Sequence, residues 1–340
     1  MIKTAVVVLN WNGIDFLKRF LPGMVSMSDI PGVRVFLADN GSADKSVEWT
    51  RSELPTVEII ELDHNLGFSG GYNEALRQID AEYYVLINSD IEVTPGWLDP
   101  MVEHLEKNPG TAACQPKILS ESNRNYFEYA GAAGGFIDKY GFPFCRGRIQ
   151  NHIEKDEGQY DDSCNIFWAS GACMIIRASV WKEMEGLDSD FFAHMEEIDL
   201  CWRIAASGYD IYYIPNSVVY HVGGGTLAYA SPRKTFLNFR NNLFLLYKNL
   251  PGKNYNRIIF VRMLLDGIAG IRFILMLKFN SCWQIFLAHI DYYRNMRSLG
   301  KKRERILLTA RPVKSGLILN KSIITGFYLK GKKMFSDYSL

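Results

Sequence analysis

With 340 residues, nearly half of them hydrophobic, the chain has material for one large α/β domain and an appendage, and its composition excludes wholesale disorder. The formal net charge of +1 hides an asymmetry: residues 251–340 hold 17 Lys and Arg against 4 Asp and Glu, and residues 1–250 hold 21 against 33. A tail this basic suits an anionic surface; no nucleic-acid motif accompanies it, so a membrane face or a second copy of the chain is the expected partner, and no nucleic acid. Six cysteines without zinc or redox spacing read as reduced, mostly buried thiols of a cytoplasmic protein. The opening MIKTAVVVLNWNG has too short an apolar run for a signal peptide, and secretion is not expected.

In chain order, TAVVVL (4–9) reads as a buried parallel strand ending at Asn10, followed by a helical pattern over 14–28. VRVFLAD (33–39) is a second strand, and the helix SADKSVEWTRSEL after it has Ser42 or Asp44 as N-cap candidates. VEIIEL is a third strand and SGGYNEALRQI a third helix. YYVLI is a fourth strand, and a helix around 95–107 is expected to carry Pro95 near its first turn. FWASGACMIIRASVW predicts a strand pair entering a helix. HMEEIDLCWRIAASGY predicts a helix with Ile198, Cys201, Trp202 and Ala205 on one face and Gly208 as its stop; DIYYIPNSVVYHVGGGT adds a strand and a glycine loop. The alternation argues for a mostly parallel, Rossmann-like sheet flanked by helices. Residues 1–250 form the expected main domain, with halves at 1–110 and 111–250, and 251–340 a helical tail. Within that tail, residues 257–277 have transmembrane length but carry Arg262, Asp266 and Arg272, which favours an amphipathic helix at a membrane surface; KKRER (301–305) and LKGKK (329–333) fit an anionic leaflet. An ordinary solvated helical face is the alternative.

Ligands of such sheets sit at the carboxyl ends of the strands. Short polar clusters collect there: Asn10-Trp11-Asn12-Gly13, Asp39-Asn40, Asp63-His64-Asn65 and Asn88-Ser89-Asp90. One cluster alone is explained by turn chemistry; four in succession exceed what turns require. Asp90 at the end of a buried strand suits a hard divalent cation that completes its shell with water and phosphate. Gly67, Gly70 and Gly71 let a loop approach a ligand closely, yet their spacing is not G-x-G-x-x-G, which argues against a dinucleotide-dependent dehydrogenase. Glu196, Glu197 and Asp199 stand among aromatic and apolar residues that favour a raised carboxyl pKa, as a general base needs; stabilisation of a helix N-terminus explains the same acids. His221 either faces an anion or metal or is structural.

Taken together, VVVLNWNG, VFLADNGSADKS, DHNLGFSGGYNEAL and YYVLINSDIEV, then WASGACMIIRASVW and GLDSDFFAHMEEIDLCWRIAASGY, resemble the family-2 inverting glycosyltransferases of GT-A fold over residues 4–251. FLNFRNNLFLLYKNLP (236–251) resembles an Arg-Asn element of the rhamnosyltransferase-like branch. The resemblance implies nucleotide-sugar contacts from Asn10, Asn12, Asp39, Asn65, Gly70, Gly71, Asn73, Asn88, Ser89 and Arg240. It implies Mg²⁺ or Mn²⁺ at Asp90 and His221, and a catalytic base at Glu197, with Asp199 and Glu196 as the other candidates. Asn88 stands where the family's D-x-D has its first Asp, and Glu197 stands where Asp is usual. The implied activity is transfer of a sugar from a nucleoside-diphosphate sugar to a glycan or lipid-linked acceptor in surface polysaccharide assembly, by a cytoplasmic enzyme attached peripherally to the inner membrane surface. A sugar nucleotidyltransferase would want a glycine-rich, Arg-containing loop after the first strand, and LNWNGIDFLKRF supplies too little glycine. A catalytically degenerate scaffold protein is the non-enzymatic rival.

Overall fold

The computed structural model describes residues 2–223 and 231–339, and the glycine loop expected after His221 falls mostly outside them. The strands are β1 (Ile2–Asn10), β2 (Val33–Asp39), β3 (Glu58–Glu61), β4 (Ala81–Asn88), β5 (Ile91–Val93), β6 (Thr111–Ser120), β7 (Gly135–Asp138), β8 (Pro143–Cys145), β9 (Arg148–Ile149), β10 (His152–Ile153), β11 (Cys164–Asn165), β12 (Cys173–Arg177), β13 (Asp210–His221) and β14 (Ile318–Leu319). The helices are α1 (Ile14–Met27), α2 (Ser46–Glu53), α3 (Gly67–Arg77), α4 (Asp99–Lys107), α5 (Ala178–Glu183), α6 (Glu196–Ala206), α7 (Pro232–Asn249), α8 (Tyr255–Leu275), α9 (Phe279–Thr309) and α10 (Ile323–Lys330).

The main sheet runs β11-β13-β6-β12-β4-β1-β2-β3, with β5 paired to β13. Its strands are apolar on both faces because both are covered, and successive residues alternate between two cores. Ala5, Val7, Tyr84 and Leu86 enter one core, while Val6, Val8, Val85 and Ile87 enter the other. β1, β2, β3 and β4 are parallel, so Asn10 lies beside Asp39 and Leu9 beside Asn88 at one edge. β12 runs antiparallel to both β4 and β6, and β13 runs parallel to β6. The start of β12 and the end of β13 therefore reach that same edge. Strand direction alone gathers four strand ends, the 170–172 loop and His221.

Several expectations shift. Helix α2 starts at Ser46 with Lys45 at its N-cap; Asp44 Oδ1 accepts from the Ser46 amide at 3.0 Å and its Oδ2 from the Ile14 amide, while Ser42 Oγ accepts from the Asn12 amide instead. Pro100, not Pro95, occupies the first turn of α4. Before β12 there is no partner strand over the FWASGA segment. The tail packs against the main body: α9 lies along α7, β14 joins β7 in the sheet β10-β9-β8-β7-β14, and the Ile323 amide donates to Asp138 Oδ2 at 2.9 Å. KKRER does not face outward as a free basic cluster. Lys302 binds Asp188 and Asp190, Arg303 donates to the Tyr247 carbonyl, and Arg305 pairs with Glu185. No helix among the described residues is long and apolar enough to cross a membrane.

Candidate active site

At the β1 and β2 ends, Asn10 Nδ2 donates to Asp39 Oδ1 (3.0 Å) and Ser42 Oγ (3.2 Å), while its own Oδ1 is buried without a partner. Asp39 is also bound by the Ser42 amide and hydroxyl, so its carboxylate organises the rim rather than standing free. Asn12, at φ 51°, accepts from the Ala43 amide at 2.7 Å and fixes the turn. Between these residues Trp11 is 42% exposed, an unspent aromatic face that sequence reasoning left without a role. Gly13 ties this end to β4, since a side chain there would meet Asn10 Oδ1 at 2.5 Å and Ser89 Oγ at 3.5 Å.

The glycine-rich segment is built differently from the expectation. Asn65 Oδ1 accepts from Asn40 and from the Gly67 amide, closing the turn into α3. Gly70 and Gly71 lie inside α3, and a side chain at Gly71 would strike Leu9 at 2.8 Å and Asn40 at 3.0 Å. α3 packs closely on the strand ends here. Asn73 Nδ2 donates to the Leu187 carbonyl at 2.7 Å and its Oδ1 accepts from the Leu187 amide at 2.9 Å, so this part of the segment also seats α3.

Asn88 and Ser89 are partly exposed at the end of β4, and Asp90 is buried just beyond. Asp90 Oδ1 lies 3.2 Å from His221 Nε2, and Glu128 Oε2 lies 3.3 Å from the other ring nitrogen. The Nδ1 approach has ion-pair distance without hydrogen-bond alignment. Burial opposes a charge on His221, but Glu128 and Asp90 overcome it and hold the imidazolium up to about 10. Glu128 comes from the segment between β6 and β7, to which sequence reasoning gave no role. The three groups form a row with histidine at the centre, and among the described residues no group of three or more His, Cys, Asp or Glu side chains is arranged to hold a metal ion.

The 170–172 loop joins this row to α6. The Asn88 amide donates to the Ala172 carbonyl at 3.0 Å, and the side-chain position of Gly171 is 3.7 Å from Glu197 Cβ. Ser170 Oγ donates to the Ala130 carbonyl at 2.6 Å, and the Ala130 amide donates to Glu128. Asp90, Glu128 and Glu197 are thus linked through one short loop. Two surface hollows, at Arg19, Met27 and Glu92 and at Arg51, Pro55 and Ile59, lie elsewhere.

The three acids of α6 have different fates. Asp199 is wholly buried and saturated: Lys248 at 2.9 Å, Arg203 at 3.0 Å and Asn249 at 2.8 Å. Burial raises its pKa, yet Lys248 and Arg203 outweigh burial and hold it below the usual range. With two cations on its carboxylate, Asp199 is a weaker proton acceptor than Glu197. Glu197 is partly exposed, its Oε2 has no partner, and burial pushes its carboxyl up to about 7 against the pull of nearby backbone amides. Glu196 is buried, also has an unpartnered Oε2, and is raised well above the ordinary value by burial and then by Glu197 and Asp199.

The loop entering α6 is strained: Phe192, His194 and Met195 have φ of 62°, 71° and 72°. Such conformations cost about 1–3 kcal/mol each and persist only when held. Asn241 Nδ2 donates to the carbonyls of Phe191 (2.9 Å), Ala193 (2.9 Å) and His194 (2.7 Å). Arg240, expected at the nucleotide, is spent beside it on Asp291, Asn241 and the Asp190 and Phe191 carbonyls. Arg240 and Asn241 are a clamp on this loop. The Arg-Asn element in the sequence was the signal that pointed to this pair. His194 Nε2 is enclosed without a partner, and burial, then Lys234, lowers its pKa to about 4.

A mostly parallel sheet flanked by helices, with its polar strand ends gathered at one edge, is a GT-A fold. Solved structures share it at low identity: GalNAc-T7 with UDP, GalNAc and Mn²⁺ (TM-score 0.55, 14% identity, covering 73% of this chain and 48% of that one), and the Pyrobaculum calidifontis mannosyltransferase PcManGT with GDP-Man and Mn²⁺ (0.52, 12%, 90% and 85%). The sequence profile described as Glycosyl transferase family 2 matches residues 5–184, and the chain belongs to that family of glycosyltransferases. Among similar proteins are the N-acetylglucosaminyl-diphospho-decaprenol L-rhamnosyltransferase of Mycobacterium tuberculosis, 25% identical over 64% of this chain and 75% of that protein, and the rhamnosyltransferase WbbL of Escherichia coli K12, 24% identical over 62% and 80%.

Proposed function

We propose that this glycosyltransferase moves a sugar from a nucleoside-diphosphate sugar to a hydroxyl of a glycan or lipid-linked acceptor, with inversion at the anomeric carbon, in surface polysaccharide assembly at the cytoplasmic face of a membrane. The observation that carries the reaction is Glu197: an acid without a cation partner, raised to about 7, packed on the loop that bonds the end of β4. A base near neutrality is half ionised at working pH and still able to take a proton. Glu197 removes the acceptor hydroxyl proton as that oxygen bonds to the anomeric carbon and the bond to the diphosphate oxygen breaks.

Trp11 offers a stacking face to the base, with Asn10, Asn12 and Asp39 shaping that end; Asn88 and Ser89 stand at the diphosphate. Asp90 and His221 have the donor types for Mg²⁺ or Mn²⁺ and would hold it once the imidazolium gives up its proton. When bound, the ion supplies positive charge to the departing diphosphate. The lipid-linked acceptor is supported by the name of the mycobacterial relative, which specifies a decaprenol diphosphate.

The test is a panel of nucleotide sugars with lipid-linked acceptors, in Mg²⁺, Mn²⁺ or chelator, reading nucleoside diphosphate release. Release dependent on one donor, an acceptor and a divalent ion is expected, together with an anomeric configuration opposite to the donor's. Asp90→Ala and Glu197→Gln that both fold and both retain full turnover would overturn the assignment.

A further inference from the structure

α8 is built inside out for a helix at a water-facing surface. Two of its charged residues, Arg262 and Asp266, are buried: Arg262 pairs with Asp266 at 2.8 Å, His289 approaches Asp266 at 3.2 Å, and the Arg262 guanidinium lies 4.0 Å over the Phe142 ring and reaches Asn242. The opposite side carries Phe260, Leu264, Ile268, Ile271 and Leu275, all exposed, at steps of three and four that make one stripe. The stripe continues over the turn into α9, where Leu277, Trp283 and Phe286 are exposed. Leu275 and Leu277, at the tip, are 80% and 77% exposed. Arg262 and Asp266, two of the three charges that interrupt the apolar run in the sequence, thus face the protein, while Arg272 is exposed beside the outward apolar stripe. An exposed apolar stripe this continuous marks an interaction surface.

Charge decides between occupants. From residue 267 to 290 there is no acidic side chain, and Arg272 and Lys278 flank the tip. Two copies meeting through this face would bring like charges together with no acid to answer them. An anionic bilayer answers both features, accepting the apolar stripe below its headgroups, with the cations among the phosphates and Trp283 at the interface.

We propose that the α8–α9 hairpin tip, spanning Phe260 to Phe286, docks this enzyme on a phospholipid surface bearing anionic headgroups. It deepens the membrane-surface reading above and rests on it, while locating the contact in the hairpin and not in the 301–305 cluster.

The test is sedimentation of the full chain with vesicles of phosphatidylcholine alone or mixed equally with phosphatidylglycerol. Binding is expected to be stronger with phosphatidylglycerol. The Leu275→Glu/Leu277→Glu variant is expected to weaken it by roughly tenfold or more, and Lys278→Glu to reduce the gain from phosphatidylglycerol. Both variants should melt like the parent and release nucleoside diphosphate equally with a soluble acceptor. Equal vesicle binding by parent and double variant overturns the proposal, as does light scattering that finds a dimer which the double variant splits. Vesicle binding without sugar transfer from any donor would instead remove the catalytic reading and leave docking standing.

Discussion

Two helices carry charge into the interior, and they treat it in opposite ways. In α8 the buried Arg262 and Asp266 answer each other within one helical turn, and an apolar stripe is left on the outside. In α6 Asp199 is answered by cations; Glu196 and Glu197, three and two residues earlier, each keep an Oε2 with no partner. Paired buried charge is architecture. Unpaired acid is costly to enclose, and its place beside a strained loop is what motivates the role proposed for Glu197.

Substitutions can break that contrast. The largest effect is expected from Glu197→Gln, a fall in kcat of roughly 10²–10⁴ with little change in melting temperature, because no ion pair is lost. The parent's kcat should rise with pH through about 7, the value to which burial pushes Glu197, since the base acts deprotonated. A flat profile, or an unaltered rate in the Gln variant, would remove Glu197 from its role. The groups beside it include Glu196 and Cys201 on its own helix and the ring of Phe68 across Gly171.

Asp199→Asn should act in the other currency. Leaving Lys248 and Arg203 buried beside a neutral amide is expected to cost about 3–5 kcal/mol, read in chemical denaturation, with the pH profile of the residual activity unmoved. If the pH profile moved and stability did not, the roles assigned along α6 would have to be exchanged.

Next in size is Asn241→Ala, which frees three loop carbonyls without touching α6 itself. A misplaced base is expected to lower kcat roughly 10–100-fold at little cost in KM for the donor. A change confined to stability would make Asn241 a packing residue only.

The smallest effect is expected from Glu196→Gln. Its carboxyl is held above the ordinary value when folded, so the native state resists ionisation and loses stability relative to the unfolded chain as pH rises past the ordinary carboxylate range. The Gln variant should therefore match the parent near pH 4 and melt higher at pH 8. The reverse order would mean that Glu196 has a cation partner.

The sequence by itself carried the alternation of strand and helix, the apolar cores and the polar strand ends. Period-two and period-3.6 patterns are local, and parallel strands in register bring their ends to one edge without further information. The acid cluster was legible for the same reason, as a run of carboxylates where apolar residues surround it. The partners of those acids were not. Lys248 and Asn249 reach Asp199 from about fifty residues away, Glu128 reaches His221 across ninety-three, and Asn73 reaches Leu187 across 114. Whether a buried charge is neutralised depends on what another element brings within about 4 Å, a relation between distant positions that no local pattern encodes. The same reason hid the orientation of α8, whose Arg262 and Asp266 could be read as facing water until the surface packed against them was known.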